Sequence, residues 1–540
     1  MKKHNTVKVV LITILVFLLL SWILPAAYYS GQYVDQGRVQ MGLSDVFNYF
    51  MTSLSYFGHY ALYLILVGCF YGVLYKIPAY RTFLDKIVGA TKGIESLVLS
   101  IFVIVNALLV SICGLNIGIA IFVPFIVSII FLMGYDKIVA AYAVVGSICA
   151  GMLGSTYASS HLNILLSGFS LNTDYQIGVR FVILLVSVIL VIFNMIRYIS
   201  SAEMTVILEN SNKKNRDKVK NEDVIEEKIE VKSSKESSSA RKSSSKKSTT
   251  KSKTQAKKST SSKGSKKNNN KAALVGEDVI IIKDEDSSVR YVPESDNKKH
   301  MIWAFVVFFL LLFIVMVLAF IPWSVFNIKV FDNVTQSIQK FTIFKFPIFS
   351  KILGNINSFG NWTIVDLLLP LSLTGILLML IYNISFDEAV EGFVNGAKRA
   401  IAPSVITILI YSILVLVVYH PFPLVIYKFI LGLTKSFNIF TTAIVSMLCG
   451  LFHSDASYSF QSIVPYYVSV VKNSKIYADA AIIFQSMYGF MMLFAPTSLI
   501  LMVTLSYLKI SYGQWLKNVW KLLLELFIIL FIAFIALSLL

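Results

Sequence analysis

Charge is scarce in this chain: Asp, Glu, Lys and Arg supply only 14% of 540 residues. Cysteine is scarcer, with four in all. Cys69, Cys113, Cys149 and Cys449 lie far apart inside apolar stretches, and no paired spacing suggests a metal or redox centre. The chain also lacks a phosphate-binding glycine loop, an HExxH pair and a nucleophile elbow, so the motifs of nucleotide-driven pumps and of common hydrolases are missing. No catalytic residue, metal or cofactor is expected.

What is abundant is apolar sequence. Hydrophobic residues make up 56% and the mean hydropathy is +0.72, above the roughly 45 to 50% apolar usage of soluble domains. Stretches of the ~20 residues needed to cross a bilayer core run from Val7 to Tyr28, Phe57 to Ile77, Tyr175 to Tyr198, Met301 to Pro322, Thr363 to Tyr382, Ile401 to Tyr419 and Trp515 to Leu540. The first is long for a signal-peptide core and runs into Pro25 without a clean cleavage site, so it is expected to be a retained helix.

The formal charge is +18, and half of the 48 Lys and Arg fall between residues 201 and 300, so basic residues are concentrated in one segment. Its middle, SSKESSSARKSSSKKSTTKSKTQAKKSTSSKGSKKNNNK, has too little apolar surface to fold and is expected to be a disordered cytoplasmic linker. It is either a polybasic tether for anionic lipid headgroups or RNA, or a tolerated low-complexity insertion. Domains are therefore placed at 1–200, 201–300 and 301–540.

The two apolar parts resemble each other. Phe122-Val-Pro-Phe-Ile-Val-Ser-Ile-Ile130 aligns with Ile463-Val-Pro-Tyr-Tyr-Val-Ser-Val-Val471, an offset of 341 residues. At that offset Thr156 falls on Thr497 and Asn116 on Ser457. Slightly shifted, Gly89-Ala-Thr-Lys92 falls on Gly432-Leu-Thr-Lys435. With the N-terminus and linker on one side and Ile94 to Met133 re-entrant, four crossings precede the linker. The helix from Met301 adds a fifth, so the second repeat begins on the opposite face, as in inverted-repeat transporters. Lys398 and Arg399 are then expected at the cytoplasmic surface, with Arg81, Lys86, Lys92 and Lys137.

Each repeat has two polar interruptions: a hairpin cluster (Gly114 to Gly118; His453 to Ser459) and a helix break (Gly154, Ser155, Thr156; Ala495, Pro496, Thr497, Ser498). Non-helical chain at membrane depth survives only when buried in protein or lining a wet cavity. Four symmetric interruptions point to one cavity, where helix ends and hydroxyls can hold a small polar solute. Candidate binding residues are Asn116, Gly154, Ser155, Thr156, Asp455, Ser457, Pro496, Thr497 and Ser498. Asp455, with His453, is the candidate for proton or cation coupling.

Further motifs sharpen this reading. Leu20-Ser-Trp-Ile-Leu-Pro-Ala26, Gly68 with Gly72, Gly134-Tyr-Asp136, Gly154-Ser-Thr156, Phe484-Gln485, Gly489, Pro496-Thr-Ser498 and Trp515-Leu516 occur in the order found in YfcC-type carriers of the ion-transporter superfamily. The chain resembles that family nearly everywhere outside the linker, which adds Gln485 to the candidate set. The resemblance implies an all-α polytopic fold of two inverted repeats with re-entrant hairpins and broken helices, in the plasma or inner membrane. It also implies alternating-access transport of a small organic solute, with H+ or Na+ as possible coupling ion. An amino acid, possibly basic, is the first expectation, a C4-dicarboxylate or other small carboxylate the second, and a non-transporting scaffold or sensor the third. Expected partners are the solute, the lipid bilayer and a second copy in a homodimer. The sequence departs from the family where an acidic pair is Ile117-Gly118, where the Asp of GDG is Tyr488, and where Asp455 stands in place of Ser.

Overall fold

The computed structural model describes residues 5–157, 159–201, 292–293, 300–343, 346–354, 357–434 and 436–539. The segment expected to be a disordered linker lies almost wholly outside the described residues. Among those described, seven helices are long and apolar enough to cross a membrane.

The first part runs α1 (Asn5–Ile23), a hairpin of β1 (Ala26–Tyr29) and β2 (Tyr33–Gly37), α2 (Leu43–Leu74), α3 (Pro78–Ala90), α4 (Glu95–Cys113), α5 (Val123–Leu132), α6 (Lys137–Ala141), α7 (Ser147–Leu153), α8 (Ser159–Gly168) and α9 (Ile177–Ser201). A π-turn over Tyr142–Gly146 joins α6 to α7.

The second part runs α10 (Trp303–Phe320), α11 (Val330–Lys340), α12 (Ile348–Leu353), α13 (Leu368–Ile381), α14 (Phe386–Tyr419), α15 (Pro423–Gly432), α16 (Ile439–Phe452), α17 (Ala456–Val470), α18 (Tyr477–Met492), α19 (Leu499–Leu508) and α20 (Tyr512–Leu539). From α2 to α9 and from α14 to α20 the elements correspond in order, α6 and α7 together matching α18. The motif shared by Phe122–Ile130 and Ile463–Val471 falls on α5 and α17.

The centre is the pair α2 and α14. Ser53 Oγ donates to the Ile408 carbonyl and Ser404 Oγ to the Ala61 carbonyl, while Gly68 and Gly72 lie against Gly396 and Gly392. As residue numbers rise on one helix they fall on the other, so the pair is antiparallel. A two-fold axis that superposes corresponding helices antiparallel must lie across them, which places it in the membrane plane: the repeats are inverted. The flanking helices obey the same symmetry, because α1 packs on α14 and α13 on α2. Helix α10 belongs to neither repeat and packs on α13 and α4.

Both central helices are built to touch. A methyl group added at Gly72 would meet the Gly392 carbonyl oxygen at 2.1 Å, and one at Gly396 the Gly68 oxygen at 2.1 Å. Paired glycines four apart remove side chains where two backbones cross, which is how helices associate where no hydrophobic force drives them together. α14 is accordingly the most enclosed of the seven spans, with 72% of its apolar window buried, against 22% for α20, whose outer face meets lipid.

Four expectations change. The stretch Thr363 to Tyr382 holds a helix of only 14 residues, α13, which is not among the seven spans, whereas α4, in the stretch expected to be re-entrant, is. The span expected from Ile401 begins at Phe386, because Ser385 and Glu388 form a capping box that starts the helix earlier. Lys398 and Arg399 thus lie well inside α14, not in a surface loop. The span expected from Phe57 begins at Leu43. The chain after α1 also turns into a short antiparallel hairpin, where Lys428 of α15 sits 3.6 Å from the centre of the Tyr33 ring.

Candidate functional site

Both re-entrant hairpins bring their tips to one cavity of about 170 Å³. Gly114 to Gly118 come from the first tip and Ser454 to Ser457 from the second; Tyr60, Met152, His161, Tyr411 and Tyr488 complete much of the wall. A water molecule needs roughly 10 to 15 Å³ on the same measure, so a solute of several heavy atoms fits.

The first tip forms because α4 ends on Gly114 in the left-handed region (φ 68°), after which the chain winds through a 3-10 turn, Ile117–Ile121, into α5. Backbone carbonyls freed by the turn are satisfied from the central helix: Tyr63 OH donates to Gly118 O and Tyr71 OH to Ile121 O, both at 2.7 Å. Asn116 Oδ1 is buried and has no hydrogen-bond partner among the described residues.

The second tip is stopped differently. His453 is extended, and Asp455 caps α17, its Oδ1 accepting from Tyr458 N at 2.8 Å. That bond explains an acid at this depth in part, since a carboxylate at a helix N-terminus is favoured by the free N–H groups and the dipole. Tyr488 OH donates to the His453 carbonyl at 3.2 Å. The tyrosine standing where the family's GDG motif has its acid therefore braces the hairpin. His453 Nδ1 is buried without a hydrogen-bond partner among the described residues, and its ring centre lies 5.2 Å from that of Tyr458.

The two helix breaks lie against the hairpins and tie to them alike. At the first, Thr156 N donates to the Ser111 carbonyl (3.0 Å), and the Thr156 and Ser111 hydroxyls lie 3.0 Å apart. At the second, Thr497 Oγ1 donates to the Leu451 carbonyl at 2.8 Å. The second helix after each break then supplies donors for its loose carbonyls: Arg180 Nη1 to Thr156 O (2.9 Å) from α9, and Trp515 Nε1 to Leu493 O (2.8 Å) from α20. Tyr512 OH donates to Phe494 O. Gln485 reaches across the repeats, Nε2 donating to Ser155 O at 2.9 Å, and Ser498 caps α19 while donating to Met492 O.

Of the residues expected to bind solute, the structure puts Asn116, Asp455 and Ser457 on the cavity wall. Gly154, Ser155, Thr156, Gln485, Pro496, Thr497 and Ser498 do not line it and belong to the bonded breaks. Sequence reasoning missed the tyrosines. Tyr60 and Tyr411, from the middles of α2 and α14, stack with ring centres 5.2 Å apart on the wall. Two tyrosines in the middle of the most enclosed helices were the available signal.

A second cavity of about 80 Å³ adjoins the first and shares Asn116, Ile117 and Ile500 with it. Arg399 lines this one, with Leu64, Tyr71, Tyr75, Val144 and Tyr507 among its other walls.

An inverted-repeat membrane protein whose two hairpin tips meet at one cavity has the architecture of a carrier, and the family match defines it as one of the ion-transporter type. The profile of the C4-dicarboxylate anaerobic carrier family, DcuC, matches residues 4–239 and 265–539, and the chain belongs to that family. No curated protein and no solved structure matches the chain.

Proposed function

We propose that the chain is a secondary carrier of a C4-dicarboxylate or a closely related small carboxylate, working by alternating access between the repeat in 1–200 and the repeat that follows the extra helix in 301–540. The observation that carries the reading is that non-helical backbone from both hairpins lines one cavity at the centre of an inverted repeat. The family supports the dicarboxylate over the amino acid expected first from the resemblance, which has no support in that match.

Asp455 then needs a role. Two like charges 4 Å apart at an effective dielectric near 20 repel by about 4 kcal/mol, so a dianion and an ionised Asp455 oppose each other across so small a space. A proton or a metal cation arriving with the solute removes the conflict, which makes Asp455 the coupling position and the uncharged first tip, with Asn116, the solute side. A multi-pass protein of the cell membrane with its N-terminus and linker in the cytoplasm completes the proposal.

One observation favours a second reading. A carboxylate beside stacked tyrosines also suits a cationic group, as in a basic amino acid. Uptake of labelled succinate and labelled arginine into proteoliposomes, with and without pH and Na+ gradients, separates the two. Succinate uptake supports the first, arginine uptake alone the second, and uptake of neither refutes both.

A further inference from the structure

Arg399 sits where a cation has no ion-pair partner among the described residues. It lies inside a 34-residue helix, half-buried, beside the face of Gly392, Gly396, Ala400 and Pro403 that turns toward α2. Its guanidinium carbon is 5.0 Å from the centre of the Tyr75 ring, while its Nε and Nη1 are buried and without a hydrogen-bond partner among the described residues. None of the described residues lining its cavity is acidic. Glu391, two turns back on the same helix, is held by Lys76 at 2.9 Å.

An unpaired charge of this kind costs several kcal/mol unless something compensates it, and an ionisable group left so in a membrane interior is a functional position by default. The geometry narrows what compensates it. Guanidinium is a planar fork matched to carboxylate, which it binds through two parallel N–H bonds. The remaining wall is mostly apolar, suiting a short hydrocarbon chain, and Asn116 joins this cavity to the tip cavity. Position along the membrane also follows from contacts. Tyr75 neighbours Tyr80, whose ring lies 5.4 Å from that of Phe305, in the first turn of the helix that follows the linker. The Arg399 cavity is therefore on the linker's side of the tip cavity.

We propose that Arg399 is a carboxylate-binding site on the linker side, distinct from the tips, which takes one carboxylate of the solute as it passes to or from the tip cavity. The proposal rests on the carrier reading and deepens it, but needs only that the solute bear a carboxylate. The corresponding stretch of α2 has no arginine or lysine, so the site exists on one face of the membrane alone and makes the two directions of transport unequal.

The test uses the full chain. In proteoliposomes Arg399→Gln raises the KM for succinate at least tenfold from the linker side and changes it less from the other. Arg399→Lys recovers part of the loss, because the charge returns without the fork. Lys398→Gln, which removes an equal charge from the exposed neighbour, leaves KM as in the unaltered chain. Equal KM for Arg399→Gln and the unaltered chain, or the same loss with Lys398→Gln, overturns the proposal.

Thermal unfolding in detergent with butyrate, succinate, citrate and arginine added tells the proposal apart from the choice of substrate. Were succinate not transported, stabilisation of the unaltered chain by another of these carboxylates, lost in Arg399→Gln and partly regained in Arg399→Lys, would still support the site. Stabilisation by none of them, or equal stabilisation of both chains, removes it.

Discussion

The crossing of α2 and α14 sets the distance between the repeats, and a single methyl group tests it. In Gly396→Ala the new carbon meets the Gly68 carbonyl oxygen at 2.1 Å, where ordinary contact begins near 3.4 Å, and also the Gly68 carbon at 2.7 Å and the Cys69 Cα at 2.9 Å. All three are backbone atoms and cannot swing aside as a side chain would. The helices must part by on the order of 1 Å, and a gap of that size forfeits a quarter to a half of each van der Waals contact along the seam. Overpacking of this kind costs roughly 1 to 3 kcal/mol, and it pulls Tyr411 away from Tyr60 across the cavity. Gly89→Ala is the control, because no atom lies within 4 Å of its added methyl, and exchanging Gly for Ala within a helix gains roughly 0.5 to 1 kcal/mol. Thermal unfolding in detergent should therefore show Gly396→Ala below the unaltered chain and Gly89→Ala at or above it, with succinate uptake reduced only in the former. Equal unfolding temperatures for the two variants would refute the claim that backbone contact holds the repeats together.

Other outcomes follow from the site. Asp455→Asn keeps an oxygen to cap α17 but cannot ionise, so solute exchange should persist while its dependence on a proton or Na+ gradient disappears; retained gradient dependence would remove Asp455 from coupling. Thr497→Val strips the hydroxyl bonded to the Leu451 carbonyl and should cost about 1 to 3 kcal/mol of stability, read as a lower unfolding temperature, and Thr156→Val should behave likewise at the other break. Trp515→Phe keeps most of the ring but leaves the Leu493 carbonyl unpaired, so a smaller drop of about 1 kcal/mol is expected, and no drop would mean that water satisfies that oxygen.

Much of the architecture was legible before any coordinate. Apolar runs of membrane-spanning length, the 341-residue offset and the odd number of crossings between repeats together imply an inverted pair, because those signals are local or depend only on counting. The interruptions were legible too, since Gly114, Gly154, Pro496 and their hydroxylated neighbours break a helix wherever the chain carries them. Element starts were less so: α14 begins fifteen residues before its purely apolar part, as its cap lies in polar sequence that hydropathy discounts.

What the chain alone could not say was which of these polar groups face the solute. Thr156 and Thr497 align across the repeats as well as Asn116 and Ser457 do, yet the threonines turn toward carbonyls of the hairpin arms while Asn116 and Ser457 reach the cavity. A hydroxyl freed at a helix break satisfies whichever neighbour lies nearest, and that neighbour is distant in sequence. Arg399 shows the same division. Its spacing from Gly392 and Gly396 puts it beside the small-residue face of α14, which helical periodicity alone fixes once the helix is known to begin at Phe386. Only the packing of α2 against that face turned an arginine expected at the surface into a half-buried charge with no ion-pair partner among the described residues, because burial and the lack of a nearby acid are properties of the neighbours that folding brings together.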